Sequence, residues 1–177
     1  VRELSAALYA ESRLRWTDAS ELLFGLRSDH YRFKTSAAAG EAWSGTVNDT
    51  LASPKVGLTH KLAPNVAVYA NWGRGFHSND ARGVTSPDSP APGLVPSTGS
   101  ELGLRYERDR FNMTATLWRM SVSSDLIFVG DSGAVEPAGA TRRSGYEVAL
   151  FWRALPWLTL DANWTGSHAR FTNSPGA

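Results

Sequence analysis

Glu3-Leu4-Ser5-Ala6-Ala7-Leu8-Tyr9-Ala10-Glu11-Ser12-Arg13-Leu14-Arg15-Trp16 repeats with a period of two. Leu4, Ala6, Leu8, Ala10, Leu14 and Trp16 share one side, and Glu3, Ser5, Tyr9, Glu11, Arg13 and Arg15 share the other. Successive side chains of an extended strand point to opposite faces, so this segment carries an oily face and a charged face. It is also longer than the roughly 9–11 residues that a tilted strand needs to cross a bilayer.

The same alternation recurs along the chain. Glu21 to Lys34 sets Leu22, Phe24 and Leu26 against Arg27 and Asp29. Ser53 to Leu62, Val66 to His77, Gly99 to Glu107, Arg110 to Val129, Thr141 to Arg153 and Trp157 to Arg170 read the same way. Around Trp118-Arg119-Met120 the alternation blurs, and a β-bulge is expected there. Short turns fall at Asp18, Asn65, Asp109 and Leu155, and long polar loops at 35–50, 78–97 and 130–140. In a meander, alternate connections lie at the same end. The short turns therefore share one end, and Gly40, Asp88 and Ser132 share the other. Pro87, Pro90, Pro92 and Pro96 are expected to interrupt any ladder in the middle loop and leave it the most mobile. The fold class is all-β, an antiparallel up-and-down meander of about eight long strands, a partial transmembrane β-barrel. An open or poorly closed sheet is expected, because one face carries small and charged groups, Gly57, Gly73 and Gly103 among them.

Composition narrows the function classes. There is no cysteine, which removes disulfides and thiolate metal sites. A net charge of +1 gives no global pull toward nucleic acid. No run approaches the roughly 18 apolar residues of a spanning helix. Seven Trp residues suit a membrane–water boundary, where an amphipathic ring has both solvents in reach. Trp16, Tyr106, Phe111, Trp152 and Trp157 lie beside the short turns, and Phe33, Trp72, Phe76 and Trp164 toward the long loops, as two interfacial belts would. The competing reading makes them core aromatics of a soluble β-protein.

Several stretches carry a resemblance. Ser53-Pro54-Lys55-Val56-Gly57-Leu58 resembles the SPKxGL strand entry of TonB-dependent outer-membrane receptors. Asn71-Trp72-Gly73-Arg74-Gly75-Phe76-His77-Ser78-Asn79-Asp80-Ala81-Arg82-Gly83 resembles the GxGFHSNDARG stretch of one group in that family. Leu126 to Asp131 and Arg142 to Glu147 are similar to the two stretches that follow. The resemblance implies a plug domain inside a barrel of about 22 strands. It also implies uptake of a scarce ligand, often a ferric siderophore, driven by TonB through a box on the plug. On that basis residues 1–177 are expected to be a barrel fragment lacking the plug and the closing C-terminal strand. The implied partners are outer-membrane lipid, the plug of the same parent chain, TonB and a small ligand.

Few residues suggest chemistry. Gly73-Arg74-Gly75 lacks the third glycine and following helix of a nucleotide loop. His30, His60, His77 and His168 show no paired metal spacing. No nucleophile–base arrangement is legible, so neither an enzyme nor a cofactor is expected. Asn48, Asn112 and Asn163 begin glycosylation-like triplets that carry no meaning in a bacterial barrel. The candidate ligand-binding residues are His77, Asn79, Asp80 and Arg82, where a strand leaves the membrane, and Arg142 with Arg143, entering from the same side. They either line an outer vestibule or anchor loops, with Asn79 and Asp80 bonding nearby backbone and Arg82 paired to a neighbouring strand. The other charges of that face read chiefly as cross-strand pairs in a wet lumen. Transport leads the functional readings. A complete eight-stranded structural or adhesion barrel is the alternative, followed by a soluble ligand-binding barrel.

Overall fold

A computed structural model describes residues 1–37, 43–124, 126–129, 134–137 and 139–172. The strands are β1 (Arg2–Arg15), β2 (Ser20–Thr35), β3 (Gly45–Ala63), β4 (Val66–Ser78), β5 (Leu94–Arg108) and β6 (Phe111–Val122). After them come β7 (Leu126–Val129), β8 (Ala134–Pro137), β9 (Thr141–Leu155) and β10 (Leu158–Phe171). One short helix, α1 (Ala81–Val84), lies between β4 and β5. Eight strands form one antiparallel sheet in the order β1-β2-β3-β4-β5-β6-β9-β10, while β7 and β8 pair with each other. The sheet is not closed: β1 and β10 are its two edges. No helix among the described residues is long and apolar enough to cross a membrane.

The short turns share one end, and the backbone stitches them together. Lys61 N–H donates to the Ala19 carbonyl at 2.8 Å, Glu107 N–H to Asn65 at 2.9 Å and Arg153 N–H to Arg110 at 2.8 Å. Asp88 lies in the connection at the other end; Gly40 and Ser132 lie outside the described residues.

Register fixes which side chains share a face. One outward row runs Val68, Leu104, Ala115, Val148, Trp164, and the next Ala70, Leu102, Leu117, Tyr146, Gly166. On this apolar face Leu8 is 80% exposed, Leu102 58%, Leu117 62% and Trp164 68%. Burying such a side chain is worth roughly 1.5–3 kcal/mol, so a face that leaves them all uncovered suits an apolar solvent. Every Asp and Glu of the eight wall strands lies on the opposite, polar face.

Five expectations are corrected. β3 begins at Gly45 rather than Ser53, because β2 continues to Thr35 and supplies partners from Thr35↔Gly45 to Ser28↔Ala52. β6 ends at Val122, and no bulge occurs at Trp118-Arg119-Met120: the ladders with β5 and β9 run through without a shift. Register shifts fall instead at Lys61/Ala63 and Leu158/Thr159. Pro96 does not break the ladder. It pairs with Phe76 inside β5, and its carbonyl accepts from Ser123 N–H at 3.1 Å. Finally, Phe33 and Phe76 do not belong to an interfacial belt. Phe33 is fully buried, and both rings pack on Tyr31.

Candidate functional site

The site begins with a loop folded onto the polar face at the long-loop end. Asp80 caps α1, its carboxylate accepting from Arg82 N–H at 2.8 Å. Asn79 is buried; its side-chain amide donates to the Pro92 carbonyl at 2.8 Å and its backbone N–H to Gly93 at 3.0 Å. The return strand is anchored by Leu94 N–H donating to Asp49 at 2.9 Å. Glu3 reaches from β1 to accept from Ala81 N–H at 3.0 Å. The Thr85 hydroxyl donates to the Ala81 carbonyl at 2.7 Å and accepts from Thr35 at 2.8 Å and Trp43 Nε1 at 3.2 Å. Beneath these bonds Phe33, Leu51, Ala81, Val84 and Leu94 form the buried core, flanked by Tyr31, Val47 and Phe76. At Gly93 any side chain would collide with Phe33 and Asp49, so only glycine lets the loop lie this close.

Arg82 turns back on its own cap. Its guanidinium donates to both Asp80 carboxylate oxygens, at 2.9 and 3.1 Å, with both side chains about half exposed. That bonding holds the Asp80 carboxyl below its ordinary value. His77 stands exposed at the top of β4, paired with Val95. The structure thus gathers His77, Asn79, Asp80 and Arg82 into one strand end and loop, with Asn79 engaged as a backbone anchor. Arg82 pairs within the loop rather than with a neighbouring strand. Arg142 does not join them. It pairs with Ser121 and Arg170 on the apolar face, whereas Arg143 takes the polar one. Register thus puts Arg142 on the face opposite the one that carries the loop. Glu3, Asp49, Thr35 and Thr85 are the anchors that sequence reading missed. Their partners lie 42 to 78 residues away, too distant in sequence to signal them, apart from the bond of Thr85 to Ala81 four residues back and that of Asp49 to its neighbour Thr50.

Below the loop the polar face is a wall of paired side chains. Lys55 meets Glu11 at 2.6 Å, Arg27 meets the buried Asp29 at 2.7 Å, and Asn71 donates to Glu101 at 2.6 Å. The Tyr69 ring lies flat across Gly103, where a Cβ would collide with it, and its hydroxyl bonds Thr116 at 2.6 Å. Arg105 stacks over that ring at 5.7 Å. No group of three metal-ligating residues occurs among the described residues. This arrangement suits a water-facing wall whose charges balance locally.

The family described as TonB dependent receptor-like, beta-barrel matches residues 2–176. No curated protein matches the chain. Among solved structures, the ferric-catecholate import receptor Fiu of E. coli K12 superposes with a TM-score of 0.74 at 19% identity, covering 98% of this chain and 29% of that one. The ferric yersiniabactin uptake receptor FyuA of Yersinia pestis gives 0.77 at 20% identity, covering 97% and 27%. The alcaligin outer-membrane receptor FauA of Bordetella pertussis gives 0.75 at 16% identity, covering 99% and 32%. At such identities the likeness is one of fold, and the chain spans about a third or less of each relative's length.

Proposed function

We propose that this chain, which belongs to the TonB dependent receptor-like, beta-barrel family, is barrel wall of a Gram-negative outer-membrane receptor that imports a scarce ligand. The observation that carries the reading is the two-faced sheet: an uncovered apolar face without a carboxylate, backed by a polar face of balanced pairs. Such a wall separates lipid from a wet lumen. The long-loop end faces outside and the short turns face the periplasm. The wider receptor contributes a plug, and TonB acts through it. A ferric siderophore is the ligand class we favour, since relatives named for ferric-catecholate and ferric yersiniabactin uptake share the fold. The Asn71 to Gly83 stretch supports a place in the group carrying the GFHSNDARG string. His77, Asp80 and Arg82 form the rim of the outer vestibule, where imidazole and guanidinium groups meet an anionic ligand. The receptor has no enzymatic role. The eight-stranded complete barrel is not favoured, because β1 and β10 do not pair.

The test is growth under iron limitation of cells whose only siderophore receptor carries this chain, supplied in turn with catecholate and other ferric siderophores. At least one should be taken up, and inactivating TonB should abolish uptake. Growth unaffected by TonB refutes the reading.

A further inference from the structure

The wall splits at its long-loop end. The β3–β4 ladder runs from Ala63↔Val66 only as far as Lys55↔Gly73, although β3 continues to Gly45 and β4 to Ser78. Beyond that point, among the described residues, β3 pairs with β2 and β4 with β5. The sequence supplies the reason. Lys61 N–H donates to Ala19, on the β2 side, and the β2–β3 register is continuous from there. An antiparallel strand turns its N–H and C=O to alternate neighbours. Odd residues of β3 therefore address β2, and even ones β4. After His60, Leu58 and Val56 the next even residue is Pro54, which has no N–H to give.

The two freed edges are tied together from the polar face. One Asp49 carboxylate oxygen accepts from Thr50 N–H, on the freed edge of β3, at 2.8 Å. The other accepts from Leu94 N–H, where the loop becomes β5, at 2.9 Å. Loop 79–93 then reaches across β3: the Thr85 hydroxyl meets Thr35 on β2, and Ala81 N–H meets Glu3 on β1. The loop is thus bonded to three strands on one side of the split, while its two ends belong to strands on the other. Phe76 bridges the split as well. It has the parity of the outward Trp72 and Arg74, yet its ring packs edge-on against Tyr31 of the polar face. Between these ties Ala81, Val84 and Leu94 are buried on Phe33 and Leu51. Lifting the loop would return all five to water and break its bonds to Glu3, Thr35 and Asp49 at the same time.

We propose that loop 79–93 is a fixed clasp across the split, with Asp49 as its central tie, and that it stays closed while ligand passes. It substitutes for the strand pairing that Pro54 prevents, and it holds His77, Asp80 and Arg82 in set positions at the mouth. The inference rests on the receptor reading only where ligand passage is measured.

Two measurements on the complete receptor decide. The first is amide exchange in detergent, read by mass spectrometry. In Asp49→Ala, residues 46–52 of β3, 74–78 of β4 and 81–94 should exchange together, on the order of tenfold faster than in wild type. Residues 55–61, below the split, should keep their rate. Faster exchange confined to 81–94, or no change anywhere, overturns the proposal. If Asp49→Ala fails to insert, Asp49→Asn, which keeps one acceptor oxygen, carries the same comparison with a smaller acceleration of the same three segments. The second measurement is a lock. The Thr35 and Thr85 hydroxyls meet at 2.8 Å, close enough for the Thr35→Cys, Thr85→Cys pair to form a disulfide in a chain with no cysteine of its own. Uptake of the ferric siderophore that supports growth, labelled with radioactive iron, should be the same before and after oxidation. Loss of uptake on oxidation, recovered with reductant, overturns the clasp and makes the loop a moving lid. If the wild type imports no siderophore, the receptor reading fails, and the exchange result alone decides the clasp.

Discussion

A matched pair of substitutions tests the assignment of the two faces most directly. On β6 the outward residues run Phe111, Met113, Ala115, Leu117, Arg119. Successive outward residues lie about 6.7 Å apart along a strand. Phe111 to Arg119 is therefore roughly 27 Å of strand, or about 20 Å along the membrane normal at a tilt near 40°. That approaches the roughly 25 Å apolar band of outer-membrane barrels and puts Ala115 at its middle. Ala149, on the neighbouring strand, faces the other way and pairs with Thr114 and Asn163. An arginine at the bilayer midplane costs roughly 2–4 kcal/mol, a 30- to 700-fold change in the folding equilibrium. Ala115→Arg should show that loss in denaturant unfolding of the complete receptor refolded into phospholipid vesicles. Ala149→Arg should stay within about 0.5 kcal/mol of wild type, as an exposed substitution in a hydrated lumen does. Equal losses at the two sites, or the larger loss at Ala149, would refute the facing of the sheet.

Three further outcomes follow from particular contacts. Because Arg82 depresses the Asp80 carboxyl, the cap stabilises the loop fully above the ordinary aspartate value near ~3.9, and that contribution is lost as pH falls through the lower folded value. Amide exchange of residues 81–85 should therefore quicken in acid, and Asp80→Asn should remove that part of the pH dependence; an identical acid response in the variant would contradict it. Gly103→Val should displace the Tyr69 ring, break its bond to Thr116 and cost about 1–3 kcal/mol. Gly99→Ala, where a Cβ meets nothing closer than the Arg119 carbonyl oxygen at 4.0 Å, should be near neutral, and thermal unfolding of both variants decides. On intact cells Asp88→Cys should react with a membrane-impermeant maleimide and Asn65→Cys should not, the reverse pattern inverting the topology.

The wall was legible because its two faces meet different solvents. Where the folded loop covers one face, the period-two signal disappears although the strand goes on. The upper part of β3 has Thr46, Asn48 and Thr50 on one face and Val47, Asp49 and Leu51 on the other. That mixture reads as loop, yet it is ladder throughout. The blurred stretch in β6 has a different cause. Trp118 faces the polar side, where its ring covers Gly145, and Arg119 faces the apolar side at the level where the oily rows end. The parity never slips; the residue types exchange places because a glycine on the next strand gives room to an indole and the membrane boundary admits a cation.

The candidate site was legible only as far as its contacts are local. Asp80 bonding Arg82 two residues on is turn chemistry, readable from the sequence alone. The bonds that fix the loop span 78 residues to Glu3 and 45 to Asp49, and no local pattern announces them. Arg142 and Arg143 mark the same limit. They are chemically identical neighbours, and only the pairing of Thr141 with Val122 determines that one points to the apolar face and the other to the polar one. A one-residue slip would exchange them, and would also turn Tyr146, Val148 and Leu150 into the polar face. The apolar run of β9 therefore sets the direction of Arg142, and the face on which that residue lies follows from the pattern of Tyr146, Val148 and Leu150 several residues away.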